Sequence, residues 1–173
     1  MVRVPKTPKQ AGRPAKAGSR FISEVVGDHV RAFRQLRRMT QGGLAAGMRN
    51  LGHGTWSHTT VSTVERRVRS VSVDELASLA VLLRVPPPRL LDPFSLAPGT
   101  GDWLSEIDFG GPATIPTGLV QFWLTGELTI GLDTSGGLWF DWHTPAAEKA
   151  AREAIEAQQK TIKTSPKSRG GDG

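Results

Sequence analysis

The chain has 173 residues, no cysteine and a formal net charge of +6. The lack of cysteine excludes disulfides, thiolate metal sites and cysteine nucleophiles together. No apolar run approaches the roughly eighteen residues needed to cross a membrane, and no apolar stretch follows the basic N-terminus, so a cytoplasmic protein without membrane association is expected.

The layout of charge says more than its sum. Residues 1–20 carry six Lys/Arg and no acid, and residues 31–69 carry eight Arg and one acid, Glu65. Residues 101–143 reverse this, with six acids and no Lys or Arg. A basic block beside an acidic one implies two functions on one chain, with a polyanion as partner of the basic part.

Residues 1–20 are rich in Pro, Gly, Lys and Ala and have no apolar period, so they are read as a disordered basic arm. Within the arm, Gly12-Arg13-Pro14 is similar to the core of an AT-hook, which makes Arg13 a candidate minor-groove contact; the plainer reading is a tether held near phosphates by charge.

Residues 21–93 read as five helices. Val26, Val30, Phe33 and Leu36 recur at helical spacing up to Met39. Thr40 is a suitable N-cap for a second helix, with Leu44, Ala45 and Met48 facing inward. Ser57 caps a third, with Trp56 and Val61 spaced as a hydrophobic staple and Val61 and Val64 inward. Ser72-Val73-Asp74-Glu75 is a capping box that opens a fourth, followed by Leu76, Leu79, Ala80 and Leu83. Prolines open a short fifth at Pro87–Leu91, and Pro93 stops it.

Pro98, Gly99, Gly101, Gly110, Gly111, Pro112 and Pro116 punctuate residues 94–118, which read as a loop-rich linker. Residues 119–160 read as a small helix–hairpin–helix unit. Leu119, Phe122 and Trp123 form a short helix ending at Gly126. The runs 128–132 and 138–142 then alternate around Thr134-Ser135-Gly136-Gly137, and Thr144-Pro145 opens a last helix from Ala146 to about Gln159. Residues 161–173 read as a disordered tail.

Several elements of the second segment occur in a fixed order: Thr40-Gln41, Leu44-Ala45, Val61-Ser62-Thr63-Val64-Glu65-Arg66, and Val73-Asp74-Glu75-Leu76 through Leu90-Leu91. Over about residues 26–93 the chain resembles the Cro/repressor-like (Xre-type) helix-turn-helix family of transcriptional regulators. The expected fold is mainly α: a five-helix, lambda-repressor-like helix-turn-helix domain followed by a small α+β C-terminal unit with a β-hairpin. Three departures stand out. Arg49–Thr55 lengthen the loop before the third helix, Gly42 and Gly43 sit at the start of the second, and Arg67 stands where many members have Gly.

A helix fits the major groove, and its exposed N-terminal residues reach base edges. The resemblance assigns base reading to His58, Thr59 and Thr63 and phosphate binding to Gln41. It also implies that Arg34 pairs with Glu65 to fix the third helix. Ser57 and Ser62 on that helix, with Arg66, Arg67 and Arg69 after it, are candidate backbone contacts.

Other chemistry is weakly represented. His53 and His58 fall far short of a zinc pattern, and no metal or cofactor is expected. No phosphate loop, nucleophile elbow or paired-carboxylate motif occurs, and Asp133, Asp141 and His143 read as surface residues, so no enzyme is expected. The expected function is a sequence-specific regulator of double-stranded DNA, a repressor of the kind carried by phages or mobile elements, reading two half-sites as a homodimer. The alternative is an antitoxin-like protein whose acidic unit holds a protein partner and whose DNA binding is autoregulatory. Residues 101–143 hold four of the five Trp (Trp103, Trp123, Trp139 and Trp142) and are expected to mediate self-association. The competing expectation is that these Trp pack back onto the helix-turn-helix core.

Overall fold

The computed structural model describes residues 19–94, 105–109, 114–132 and 137–164, and for residues 132 and 161–164 the backbone alone. Residues 1–18, including Arg13, lie outside the described residues, as do Trp103, the hairpin turn at 133–136 and the tail from 165.

A three-residue strand, β1 (Ser19–Phe21), leads into α1 (Ile22–Leu36). Then come α2 (Gln41–Asn50), α3 (His58–Glu65), α4 (Val73–Leu83) and α5 (Pro88–Leu91). The polar caps sit at the residues that chemistry favours. Thr40, Ser57 and Ser72 each accept a backbone N–H through the side-chain oxygen, from Gly43, Thr60 and Glu75 respectively. Val26, Val30, Phe33, Leu44, Met48, Val61, Val64, Leu79 and Leu83 close into one core, with Trp56 fully buried among them. Leu36 is a correction to the helical reading. It ends α1 beyond the packed body and is 71 % exposed. Arg38 then turns the chain through a left-handed φ of 53°, and Met39 packs against the core instead.

The segment read as a linker contains structure. Strands β2 (Glu106–Asp108) and β3 (Thr114–Pro116) lie within 94–118, and α6 (Thr117–Leu124) begins there too. The strands form a sheet of order β1-β2-β3, with β1 parallel to β2 (Ser19 beside Glu106) and β2 antiparallel to β3 (Ile107 beside Ile115). Ser19 and Arg20, read as the end of a disordered arm, are therefore paired. Three-residue strands carry no period, and their partners are distant in sequence, so nothing local announces them. Val25 of α1, Ile107 and Val120 form a small buried cluster that seats this sheet and α6 against the first turns of α1.

Strands β4 (Leu128–Leu132) and β5 (Leu138–Trp142) pair as an antiparallel hairpin. The last helix, α7, runs over Pro145–Thr164, with its proline in the first turn, where no N–H partner is needed. Leu119, Phe122, Leu128, Ala147 and Ala151 are buried together between α6, the hairpin and α7. On the other hairpin face the Trp139 indole lies against Gly131, where an added Cβ would meet the ring at 2.2 Å. No described helix is long and apolar enough to cross a membrane.

Candidate nucleic-acid interface

Helix α3 has an inner and an outer side. At 3.6 residues per turn, His58, Thr59, Ser62, Thr63 and Arg66 fall on one side, and Val61, Val64 and Glu65 on the other. Val61, Val64 and Glu65 are buried, while His58, Thr59 and Arg66 are exposed and Ser62 and Thr63 half-buried.

The buried Glu65 anchors the C-terminal end of this helix. Arg34 donates to it twice, Nε to Oε1 at 2.5 Å and Nη2 to Oε2 at 3.0 Å, and donates through Nη1 to the Met39 carbonyl at 2.8 Å. The side chains of Arg34 and Glu65 are only 11 % and 4 % exposed. Burial alone would raise the Glu65 pKa, but hydrogen bonds from Arg34 and Gln41 outweigh it and hold the carboxyl below its ordinary value. A buried pair like this contributes orientation more than net stability, because both charges lose their water. It fixes α3 against α1 through Arg34 and against α2 through Gln41.

The N-terminal end of α3 is fixed differently. The Ser57 hydroxyl accepts the Thr60 N–H at 3.1 Å and is thereby committed to the cap. The lengthened connection from α2 is well tied. Arg49 donates to the Trp56 carbonyl at 2.7 Å, His53 bonds the Ser78 hydroxyl at 2.8 Å, and the Trp56 indole N–H donates to buried Glu75 at 2.8 Å. The staple expected of Trp56 thus has a polar end as well as an apolar one.

The candidate DNA residues separate into classes. His58 and Thr59 are presented by the first turn of α3. Thr63, half-buried, donates its hydroxyl to the Thr60 carbonyl at 2.8 Å, which leaves the hydroxyl oxygen's acceptor capacity unspent by that bond. Gln41 spends a side-chain N–H on Glu65, at 2.7 Å, so its amide is oriented by the buried pair. Arg66 is exposed, and among the described residues its side chain makes only a 3.3 Å contact to its own helix at the Ser62 carbonyl. Arg69 is held by Glu75 at 2.6 Å and stacks over Trp56, its guanidinium carbon 5.4 Å from the ring centroid. Arg67 forks onto Asp28 of α1 with Nε at 2.8 Å and Nη2 at 3.0 Å. The run of arginines after α3 is therefore not a uniform basic patch.

Asp28 and Arg20, which joins it, were not singled out from the sequence. Arg67 lies 39 residues from its acid, so no local spacing marks the pair. Among the described residues, no group of three or more His, Asp or Glu could hold a metal ion.

No protein-family model and no curated protein matches the chain. Among solved structures, the chain is similar to the DNA-binding domain of BldD. The two share 30 % identity over 40 % of this chain and 93 % of that one, at a TM-score of 0.34.

Proposed function

We propose that the chain is a sequence-specific regulator of transcription that binds double-stranded DNA and has no catalytic activity of its own. The observation that carries this reading is the outward strip His58-Thr59-Ser62-Thr63-Arg66, on a helix fixed at one end by the Arg34–Glu65–Gln41 network and at the other by the Ser57 cap. A side chain discriminates bases only if its backbone is held, and α3 is held through its buried Glu65 by half-buried Arg34 on α1 and Gln41 on α2. Histidine and threonine can bond base edges, and the threonine methyl can contact thymine.

The finer reading is a repressor that binds as a homodimer. One such helix touches few base pairs, and a dimer doubles the site. The C-terminal unit supports this part, because Phe109, Trp123, Trp139 and Phe140 are exposed there. Exposed aromatic surface of this kind is typical of interfaces. The antitoxin-like alternative draws on the same unit, since residues 101–143 hold no Lys or Arg and would suit a basic protein partner.

Selection of duplexes from a random pool tests the reading, followed by a salt titration of the best binder. With about four phosphates neutralised, affinity should fall about a hundredfold between 50 and 200 mM salt. Failure to enrich any sequence, or a flat titration, would reject it.

A further inference from the structure

Asp28 on α1 stands between two arginines from distant parts of the chain. Its Oδ2 accepts from Arg20 Nη2 at 2.5 Å and from Arg67 Nη2 at 3.0 Å, while Oδ1 accepts from Arg67 Nε at 2.8 Å. One anionic oxygen is thus already gripped by two guanidiniums. All three side chains remain reachable from solvent, at 45 % exposure for Arg20, 47 % for Arg67 and 29 % for Asp28.

We propose that Arg20 and Arg67 form a two-pronged site for one backbone phosphate of DNA, and that Asp28 is the internal anion which competes with that phosphate. The inference rests on the DNA-binding reading above and adds to it a contact on β1 and a built-in competitor.

Three features support it. A non-bridging phosphate oxygen has the same charge and acceptor character as the carboxylate oxygen that both arginines now share. Each guanidinium carries five N–H donors, of which Arg67 spends two groups on Asp28 and Arg20 spends one, so donors remain for a second anion. The position is also suitable. Arg67 follows Arg66 directly at the end of α3, beyond the N-terminal turns from which a groove-reading helix contacts base edges. Its left-handed φ of 65° turns it off the helix and toward α1. Arg20 reaches the same point because β1 is pinned beside β2, next to the start of α1.

The arrangement assigns opposite roles to neighbouring groups. Arg20 and Arg67 add affinity for any duplex, since a phosphate carries no sequence information. Asp28 subtracts affinity for any duplex, because it offers the arginines a partner when DNA is absent and repels the phosphate when DNA is present. The net effect is to lower affinity for selected and random duplexes alike and leave discrimination to the α3 strip.

The test measures affinity and salt slope of the full chain on its selected duplex and on a random duplex. Arg20→Gln and Arg67→Gln should each weaken both duplexes by about fivefold and lower the salt slope by about one. Asp28→Asn, which keeps a hydrogen-bonding side chain, should strengthen both by a similar factor and steepen the slope. Thermal melts of each variant separate loss of fold from loss of contact, and Arg67→Lys should recover part of the affinity without the fork. If the parent chain binds with a steep slope and both arginine variants match it, the phosphate site is overturned while the DNA reading stands. If Asp28→Asn weakens binding, Asp28 is an organiser and the competitor role is overturned. If the parent chain binds no duplex, the DNA reading fails and this site fails with it.

Discussion

Gly27 of α1 lies against the carbonyl of Val64, so close that a Cβ built on Gly27 would meet the Val64 oxygen at 2.5 Å. The end of the candidate recognition helix is thus seated on the backbone of α1. Ordinarily Gly to Ala inside a helix gains about 1 kcal/mol from propensity. Here the obstacle is a backbone oxygen that cannot rotate away, and overpacking of this kind costs about 1–3 kcal/mol. Gly27→Ala should therefore lower the melting temperature rather than raise it, and should weaken specific DNA binding by shifting α3. A stabilised variant would show that the two helices separate without penalty.

The α3 strip makes a sharper claim about sequence. His58→Ala and Thr63→Ala should each cost about 1–3 kcal/mol on the selected duplex and little on random DNA. Arg66→Ala should weaken both duplexes alike. Equal losses on both for His58→Ala would remove that residue from the base readers.

Three buried or half-buried groups set the pH dependence. Burial holds the His29 pKa below its ordinary value, against the smaller opposing effect of its hydrogen bond to the Leu90 carbonyl, with Nδ1 3.0 Å from that oxygen. The unfolded chain then takes up this proton before the folded one does. Stability is full above about pH 6.5, the unfolded value, and declines as the pH falls from there toward the folded value. Glu65 and Glu75 are both depressed because hydrogen bonds outweigh burial, so their contributions are full above about pH 4.5 and are lost below it. Melting temperature against pH should fall in two limbs. His29→Gln should remove the upper limb alone, and persistence of that limb would assign it to another group.

Breaking the buried pair should be costly. Glu65→Leu leaves the Arg34 guanidinium buried without its carboxylate, and loss of one partner of such a pair costs about 3–5 kcal/mol. Replacing both, Arg34→Met with Glu65→Leu, should recover most of that stability while DNA specificity stays impaired, since α3 would lose its fixed azimuth. Full recovery of specificity in the double variant would mean that the pair contributes only to folding.

What the sequence disclosed followed the range of each interaction. Helices α1 to α5 rest on local signals: apolar residues at helical spacing, hydroxyl caps at Thr40, Ser57 and Ser72, and prolines around α5. The hairpin likewise showed as alternation, with Ile130 opposite Phe140 and Gly131 opposite Trp139. Sheet β1-β2-β3 was illegible because Ser-Arg-Phe and Glu-Ile-Asp are too short to carry a period and meet only after the chain has folded. The acidic partner of Arg67, 39 residues away, was hidden for the same reason. A count of arginines reported a basic block, whereas Asp28 and Glu75 neutralise two of its members in space.

The exposed aromatics of the C-terminal unit lead to the last expectation. Burial of Val25, Ile107 and Val120 means that part of this unit does pack onto α1, but Trp123, Trp139 and Phe140 stay outside that contact. Trp123 meets Phe109 edge-on, with ring centroids 5.6 Å apart and both rings exposed. Truncation after residue 100 would be a poor test, because it strips β2 from β1 and bares Val25. Point variants avoid this. Trp123→Ser combined with Phe140→Ser should leave the melting temperature close to that of the parent chain, since neither side chain belongs to a buried cluster. If the aromatic surface joins two copies, the parent chain should sediment as a dimer at tens of micromolar and the double variant as a monomer. The double variant should also lose cooperativity on two half-sites while keeping its affinity for one. A parent chain that sediments as a monomer at that concentration would reject the homodimer and turn attention to a basic protein partner for the same acidic, aromatic face.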